Sequence, residues 1–134
     1  MASNLILSLV AGNAACSALA VLANGGFIDV YATTQPVNPE TSPGGASLVT
    51  LTLPNPAFGS PVAGVATANT IAAQAIANTG TALWFRVTES NHTTPVFDGS
   101  VGVSSGYDMN CNAVSLVSGA QFQVTSLTLT VPAL

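Results

Sequence analysis

The apolar periodicity of this chain changes once, at Gly25-Gly26, and does not change back. Ahead of the glycines, Asn13, Ser17, Ala20 and Asn24 recur at spacings of four, three and four. Ala11, Ala15, Ala18 and Leu22 form an offset row, with Leu19 beside it. That pattern predicts an amphipathic helix over about residues 8–24, capped by Ser8 and stopped by the glycine pair. The Ala-rich row is expected to lie against a sheet and the Asn/Ser row to face away. Beyond Gly26 the period is two, so one helix must be accommodated by a chain that otherwise forms strands.

Phe27 to Ala32 reads as the first strand, with Phe27, Asp29 and Tyr31 on one side and Ile28 and Val30 on the other. Gln35 to Gly45 contains Pro36, Pro39, Pro43, Gly44 and Gly45, so it is expected to be an extended surface loop. Val49, Leu51 and Leu53 alternate with Thr50 and Thr52 until Pro54. A short strand is expected around Val62 to Ala68, while Thr70 to Ala77 is ambiguous and Asn78-Thr79-Gly80 is a turn. Leu83 to Thr88 and Pro95 to Val101 form a hairpin pair across the polar linker Glu89 to Thr94. Ser104-Ser105-Gly106 is a loop, the stretch around Cys111 is expected near a turn, and Ala113 to Leu116 is a short strand. From Phe122 onward the alternation slips phase at Thr125-Ser126, which predicts a bulge.

One helix and seven or eight short strands from about residue 27 onward predict a mainly β fold. It is expected to be a β-sandwich or jelly roll with an N-terminal α-helix, residues 1–134 making one domain. The 134 residues hold one Lys or Arg, five Asp or Glu and one His, with 49% apolar residues. An ordinary soluble domain carries about 25% charged residues. Without a basic footprint, nucleic acid is not an expected partner, nor is an anionic membrane surface. The apolar run Leu5 to Ala23 has no basic residue before it and includes Ser8, Gly12, Asn13 and Ser17, so it reads as a packed helix rather than an export signal or a membrane span. Charged residues that normally block association at sheet edges are nearly absent, so self-association is expected.

The chemistry-bearing residues are few. Arg86 shares a strand face with Trp84, and Asp98 lies in the partner strand, so a cross-strand ion pair of Arg86 with Asp98 is expected, with Trp84 stacking on the guanidinium. Binding of an external carboxylate or sugar by Arg86 is the sharper alternative. His92 sits in the hairpin linker and is expected to be an exposed loop histidine. Asp98, Asp108, Asn110 and Asn112 lack the spacing of a calcium loop and suit turn stabilisation. Asp29, Glu89, Asp98 and Asp108 are the carboxylates from which a glycosidase pair would be drawn, but no spacing brings two together. Cys16 and Cys111 have no metal-ligand spacing, and Cys16 is expected in the core. No enzyme, cofactor or metal site is expected from these residues.

The run Asn78-Thr79-Gly80-Thr81-Ala82-Leu83-Trp84-Phe85-Arg86-Val87, then Val96-Phe97-Asp98-Gly99-Ser100-Val101-Gly102 and Asp108-Met109-Asn110, resembles a family of small virion-associated structural proteins of tailed bacteriophages and prophages. Asn13-Ala14-Ala15, Gly25-Gly26, Leu51-Thr52-Leu53, Asn55-Pro56-Ala57-Phe58-Gly59 and Gly64-Val65-Ala66-Thr67-Ala68-Asn69 follow the same order, so the resemblance covers nearly the whole chain. This sequence departs from the pattern in its uncharged helix and an extra residue near Val103-Ser104-Ser105-Gly106. The resemblance implies a capsid decoration or cement protein. Such a protein is β-rich, often trimeric, and sits on the outer surface of the virion against the major capsid protein; a place in the tail or neck is the near alternative. Pro36, Pro39 and Pro43 are the candidate contact residues of the loop, with Tyr31 and Tyr107 as candidate contact aromatics. In a rival reading, a carbohydrate-binding adhesion module, Trp84, Tyr31 and Tyr107 would form the platform.

Overall fold

The computed structural model describes residues 4–131. Helix α1 spans Leu9–Leu22. Ser8 is extended, and its Oγ accepts from the Ala11 amide at 3.1 Å, satisfying one of the amides a helix start leaves free. At the other end Gly25 has φ +65°, a left-handed conformation that glycine adopts without strain, and its amide donates to the Pro54 carbonyl.

Eleven β segments follow: β1 (Phe27–Tyr31), β2 (Val49–Thr52), β3 (Val65–Thr67), β4 (Gln74–Ala75), β5 (Gly80–Thr81), β6 (Trp84–Thr88), β7 (Pro95–Val103), β8 (Met109–Cys111), β9 (Ser115–Leu116), β10 (Gln121–Phe122) and β11 (Val124–Thr130). Seven of them form one mixed sheet in the order β2-β1-β6-β7-β8-β11-β3, while β10-β4 and β5-β9 are separate two-stranded pairs. Among the described residues the fold is mainly β, with a single helix and a curled, jelly-roll-like sheet. The expected bulge is present: β11 shifts register against β8 between Val124 and Ser126.

Alternation along the long sheet sorts side chains onto two faces. Ile28 and Val30 of β1, Phe85 and Val87 of β6, Val101 of β7, Met109 and Cys111 of β8, and Leu127 and Leu129 of β11 belong to one hydrophobic cluster. Cys16, Ala20 and Ala23 from the helix end of the fold, and Ile76, Leu116 and Phe122 from the segments carrying the small sheets, complete that cluster.

Two expectations need correction. First, the helix turns Gly12, Cys16 and Ala20 inward, a row four residues apart. The Ala11, Ala18 and Leu22 positions are exposed, and Ala15 is half-buried. The reason lies in the amides: Asn13 Oδ1 accepts from the Gly64 amide and Asn24 Oδ1 from the Ala57 amide, each at 2.8 Å. Those side chains belong beside the sheet because they satisfy loop backbone there. Second, the region of Cys111 is a strand. β8 runs parallel to β7, with Val101 opposite Met109 and Val103 opposite Cys111, although only residues 104–108 connect them. Parallel neighbours usually need a crossover of about a dozen residues. Here Ser104 and Gly106 both take positive φ, and the Asp108 carboxylate accepts from the Ser100 amide and hydroxyl, folding the chain back sharply.

At the margins of the long sheet, a few backbone groups beside the outer strands are taken up within the chain. The Leu48 carbonyl, just before β2, accepts from the Ala77 and Asn78 amides. The Thr67 carbonyl of β3 accepts from the Gly59 amide, and Phe58 bridges Ala68.

Candidate functional site

The face of the sheet turned away from the core holds most of the ionic chemistry. Register places Asp29 of β1, Arg86 of β6 and Asp98 of β7 in one row across three strands. Arg86 Nε donates to Asp98 Oδ1 at 2.7 Å and Nη2 to Oδ2 at 2.9 Å, a two-pronged pair with side-chain exposures of 9% and 5%. The third guanidinium nitrogen, Nη1, donates to the Thr41 carbonyl at 2.8 Å. The Asp98 carboxylate raises the Arg86 pKa, so the guanidinium stays charged. Its carbon lies 5.2 Å from the Trp84 ring centroid.

The proline-rich loop is seated on this row. Trp84 Nε1 donates to Thr33 Oγ1 at 3.3 Å, and that hydroxyl donates to the Pro43 carbonyl at 2.6 Å. Pro36, Pro39 and Pro43 are half-buried, while Val37 between them is fully exposed. A shallow cavity of about 240 Å³ lies between the loop and the hairpin, lined by Pro39, Glu40, Thr41, Arg86, Thr93 and Pro95.

Tyr31 does not present a ring to solvent. It is buried and stacked on Trp84, with centroids 4.7 Å apart and Trp84 fully buried. Burial also pushes the Tyr31 phenol above its ordinary pKa, helped by the Asp29 charge. Two of the three aromatics that a sugar platform would need are therefore interior residues. Tyr107 is exposed and packs over Gly102, where any Cβ would overlap its ring. With Leu83, Val103 and Val114 it lines a groove of about 500 Å³.

His92 is an exposed loop histidine, as expected, and it also makes specific contacts. It takes φ +60° at the hairpin tip, stacks on Phe27 with centroids 4.3 Å apart, and its Nε2 donates to Asp29 Oδ2 at 2.8 Å. Thr50 Oγ1 donates to the other Asp29 oxygen at 2.5 Å. The sequence placed Asp29 on the right face of β1 but carried no signal of strand register, so this link was not foreseen.

Asp108 closes the β7–β8 connection through Ser100 and shares the lining of a cavity of about 160 Å³ with Asp98, whose carboxylate oxygens are both held by Arg86. Asn110 donates to Tyr107 and Ser126, and Asn112 exchanges bonds with Gln123 and Gln121, so these residues hold local backbone and neighbouring strands. Cys16 and Cys111 are both free and buried, and burial raises each thiol's pKa. Among the described residues, no three His, Cys, Asp or Glu side chains converge as metal ligands. No described helix is long and apolar enough to cross a membrane.

The Arg86–Asp98 pair is a clamp: it joins β6 and β7 and fastens the proline-rich loop through Thr41, while Asp29 holds Thr50 of β2 and His92 at the hairpin tip. Both Asp98 oxygens and all three Arg86 nitrogens are engaged within the chain. No family model, curated protein or solved structure matches this chain.

Proposed function

We propose that this chain is a structural protein of a tailed-phage particle. In this reading it is a capsid decoration or cement protein on the outer surface of the virion, bridging major capsid protein subunits as a homo-oligomer. The observation that carries the reading is apolar surface left uncovered on a chain with almost no charge. One exposed apolar region is the outer face of α1, including Val10, Val21 and Leu22; the other is the groove of Leu83, Val103 and Tyr107. The two share no residue, as a bridging molecule requires. The groove and the loop carrying Pro36, Pro39 and Pro43 are assigned to the shell.

Apolar burial contributes about 25 cal/mol per Å², and association costs cancel much of it. A single small contact is therefore weak. Repetition around a shell, with several contacts per oligomer, turns weak contacts into firm attachment.

The test is direct. Particles of the phage or induced prophage that carries the gene are purified and their proteins quantified by mass spectrometry. The chain is expected in fixed ratio to the major capsid protein. Purified chain added to particles lacking it is expected to bind and raise their rupture temperature, and Leu83→Glu is expected to weaken that binding at least tenfold. Absence from intact particles overturns the reading. Recovery with detached tails alone overturns the capsid position.

A further inference from the structure

We infer that Asn91, at the tip of the β6–β7 hairpin, is an acceptor for N-linked sugar. The inference goes beyond the virion reading above and does not depend on it.

Sugar transfer to an asparagine uses the pattern Asn-x-Ser/Thr, with x any residue except proline, on a surface loop. The chain has ten asparagines, and Asn91-His92-Thr93 is the one place where Ser or Thr stands two residues on. The match falls where a transferase can reach it. Residues 91–94 are all exposed, and they lie in the connection between β6 and β7.

The three residues play separate parts at the tip. His92 takes φ +60° and is the anchor: its ring stacks on Phe27, and its Nε2 donates to Asp29 Oδ2 at 2.8 Å. The middle residue, whose identity the pattern leaves open, thus carries the packing. Asn91 and Thr93, the two that the pattern requires, remain at the surface.

The Asn91 carboxamide is held in a set orientation. Its Oδ1 accepts from the Thr93 and Thr94 amides, each at 3.0 Å. Its Nδ2 donates one hydrogen to Thr94 Oγ1 at 2.7 Å and keeps the other for an incoming group. Two donors on Oδ1 stabilise negative charge on the carboxamide, which favours loss of a proton from Nδ2 during transfer. The Thr93 hydroxyl makes no hydrogen bond among the described residues, so a transferase can engage it directly. By contrast, Asn13, Asn24, Asn69 and Asn78 are tied to backbone groups elsewhere in the fold.

The co-substrate is a diphosphate-activated sugar. Nδ2 forms a bond to the anomeric carbon as the bond from that carbon to the phosphate oxygen breaks. The diphosphate leaves with the electron pair, and the Nδ2 proton passes to a base of the transferase. A nucleoside diphosphate sugar and a polyprenyl diphosphate sugar supply the same chemistry. Sugar at this tip adds hydroxyls to the surface of a chain with one Lys or Arg and five acids, a solubilising change.

The test is the intact mass of the full chain purified from the host that carries the gene. It is expected to exceed the 13.3 kDa chain mass by whole hexose or N-acetylhexosamine residues, with fragmentation placing them on Asn91. Asn91→Gln and Thr93→Ala are expected to abolish the addition with unchanged circular dichroism, and Thr93→Ser to keep it. Thr94→Ala removes the hydroxyl bonded to Asn91 but leaves the pattern intact, so it is expected to retain the sugar. Incorporation of label from nucleoside diphosphate sugar in host cytosol assigns a soluble donor, and incorporation in host membranes a polyprenyl one; either supports the site. Incorporation in neither, a chain at its sequence mass, sugar on another residue alone, or addition that survives Thr93→Ala overturns the inference. Glycosylated chain that is missing from particles overturns the virion reading and leaves the acceptor site standing.

Discussion

Replacing Arg86 by Met tests whether the outer face of the sheet is held by its ionic row. The guanidinium makes three bonds in a setting where the side chains of Arg86 and Asp98 are 9% and 5% exposed. Removing it leaves the Asp98 carboxylate buried without its partner and strips the Thr41 carbonyl of its donor. Breaking one side of a buried pair costs about 3–5 kcal/mol. The small residual exposure puts Arg86→Met near the lower end. For a chain of this size that corresponds to a fall in Tm of roughly 10 °C.

Replacing Asp98 by Leu as well removes the stranded charge, so the double variant is expected to regain at least about 2 kcal/mol relative to the sum of the single losses. Chemical denaturation with midpoint and slope measured separately is the assay. Limited proteolysis of the Thr33–Ser47 segment supplies a second readout, because Arg86 fastens that loop through Thr41. A loss below about 1 kcal/mol for Arg86→Met, or strict additivity of the two substitutions, would refute the clamp.

Gly26→Ala is expected to destabilise by about 3 kcal/mol or more, because a Cβ there overlaps the Thr88 carbonyl oxygen, and strand backbone cannot swing aside; thermal melting checks it. Cys16, Cys111 and Tyr31 all have raised pKa values in the fold, so the unfolded chain releases those protons first as pH rises. Their stability contribution is complete below about pH 8.5 and declines above it, by up to about 1.4 kcal/mol per pH unit for each group titrating only in the unfolded chain. Denaturation midpoints from pH 7 to 11 should fall, and less steeply for Cys16→Ala. A thiol reagent at pH 8 is expected to modify neither cysteine until denaturant is added. Thr67→Lys, on an outer strand, is expected to leave light scattering at high concentration unchanged, whereas Leu22→Glu lowers it.

Local features of this fold were legible because they depend on neighbouring residues. Ser8 fixes the helix start through its hydroxyl, and Gly25 fixes the end because, lacking a side chain, it takes a left-handed conformation without strain. The Thr/Leu alternation fixes the faces of β2 and β11, and its slip at Thr125-Ser126 marks a real bulge. The facing of Arg86 and Asp98 followed from a hairpin, whose loop length limits register. What was not legible required register between strands far apart in sequence. Asp29 reaches His92 only because β1 lies beside β6, which brings the hairpin tip over Phe27. Tyr31 is buried for the same reason: β6 places Trp84 opposite it. The helix face was misassigned because Asn13 and Asn24, polar by composition, satisfy loop amides beside the sheet.

Half of the chain's formal charge is spent where solvent scarcely reaches it. Of one Arg and five acids, Arg86, Asp29 and Asp98 form the inner row, leaving Glu40, Glu89 and Asp108 nearer the surface. Charge therefore does little to prevent association, and backbone pairing at the ends of β2 and β3 does part of that work instead. In the reading proposed above, contact falls to side-chain surfaces of defined shape, the outer face of α1 and the Tyr107 groove. Edge pairing is tolerant of register and partner, whereas apolar faces bounded by hydroxyls and amides favour a geometry that fits. In the reading proposed above, bare apolar faces on a chain whose sheet ends are met in part by its own backbone favour specific assembly over indiscriminate aggregation.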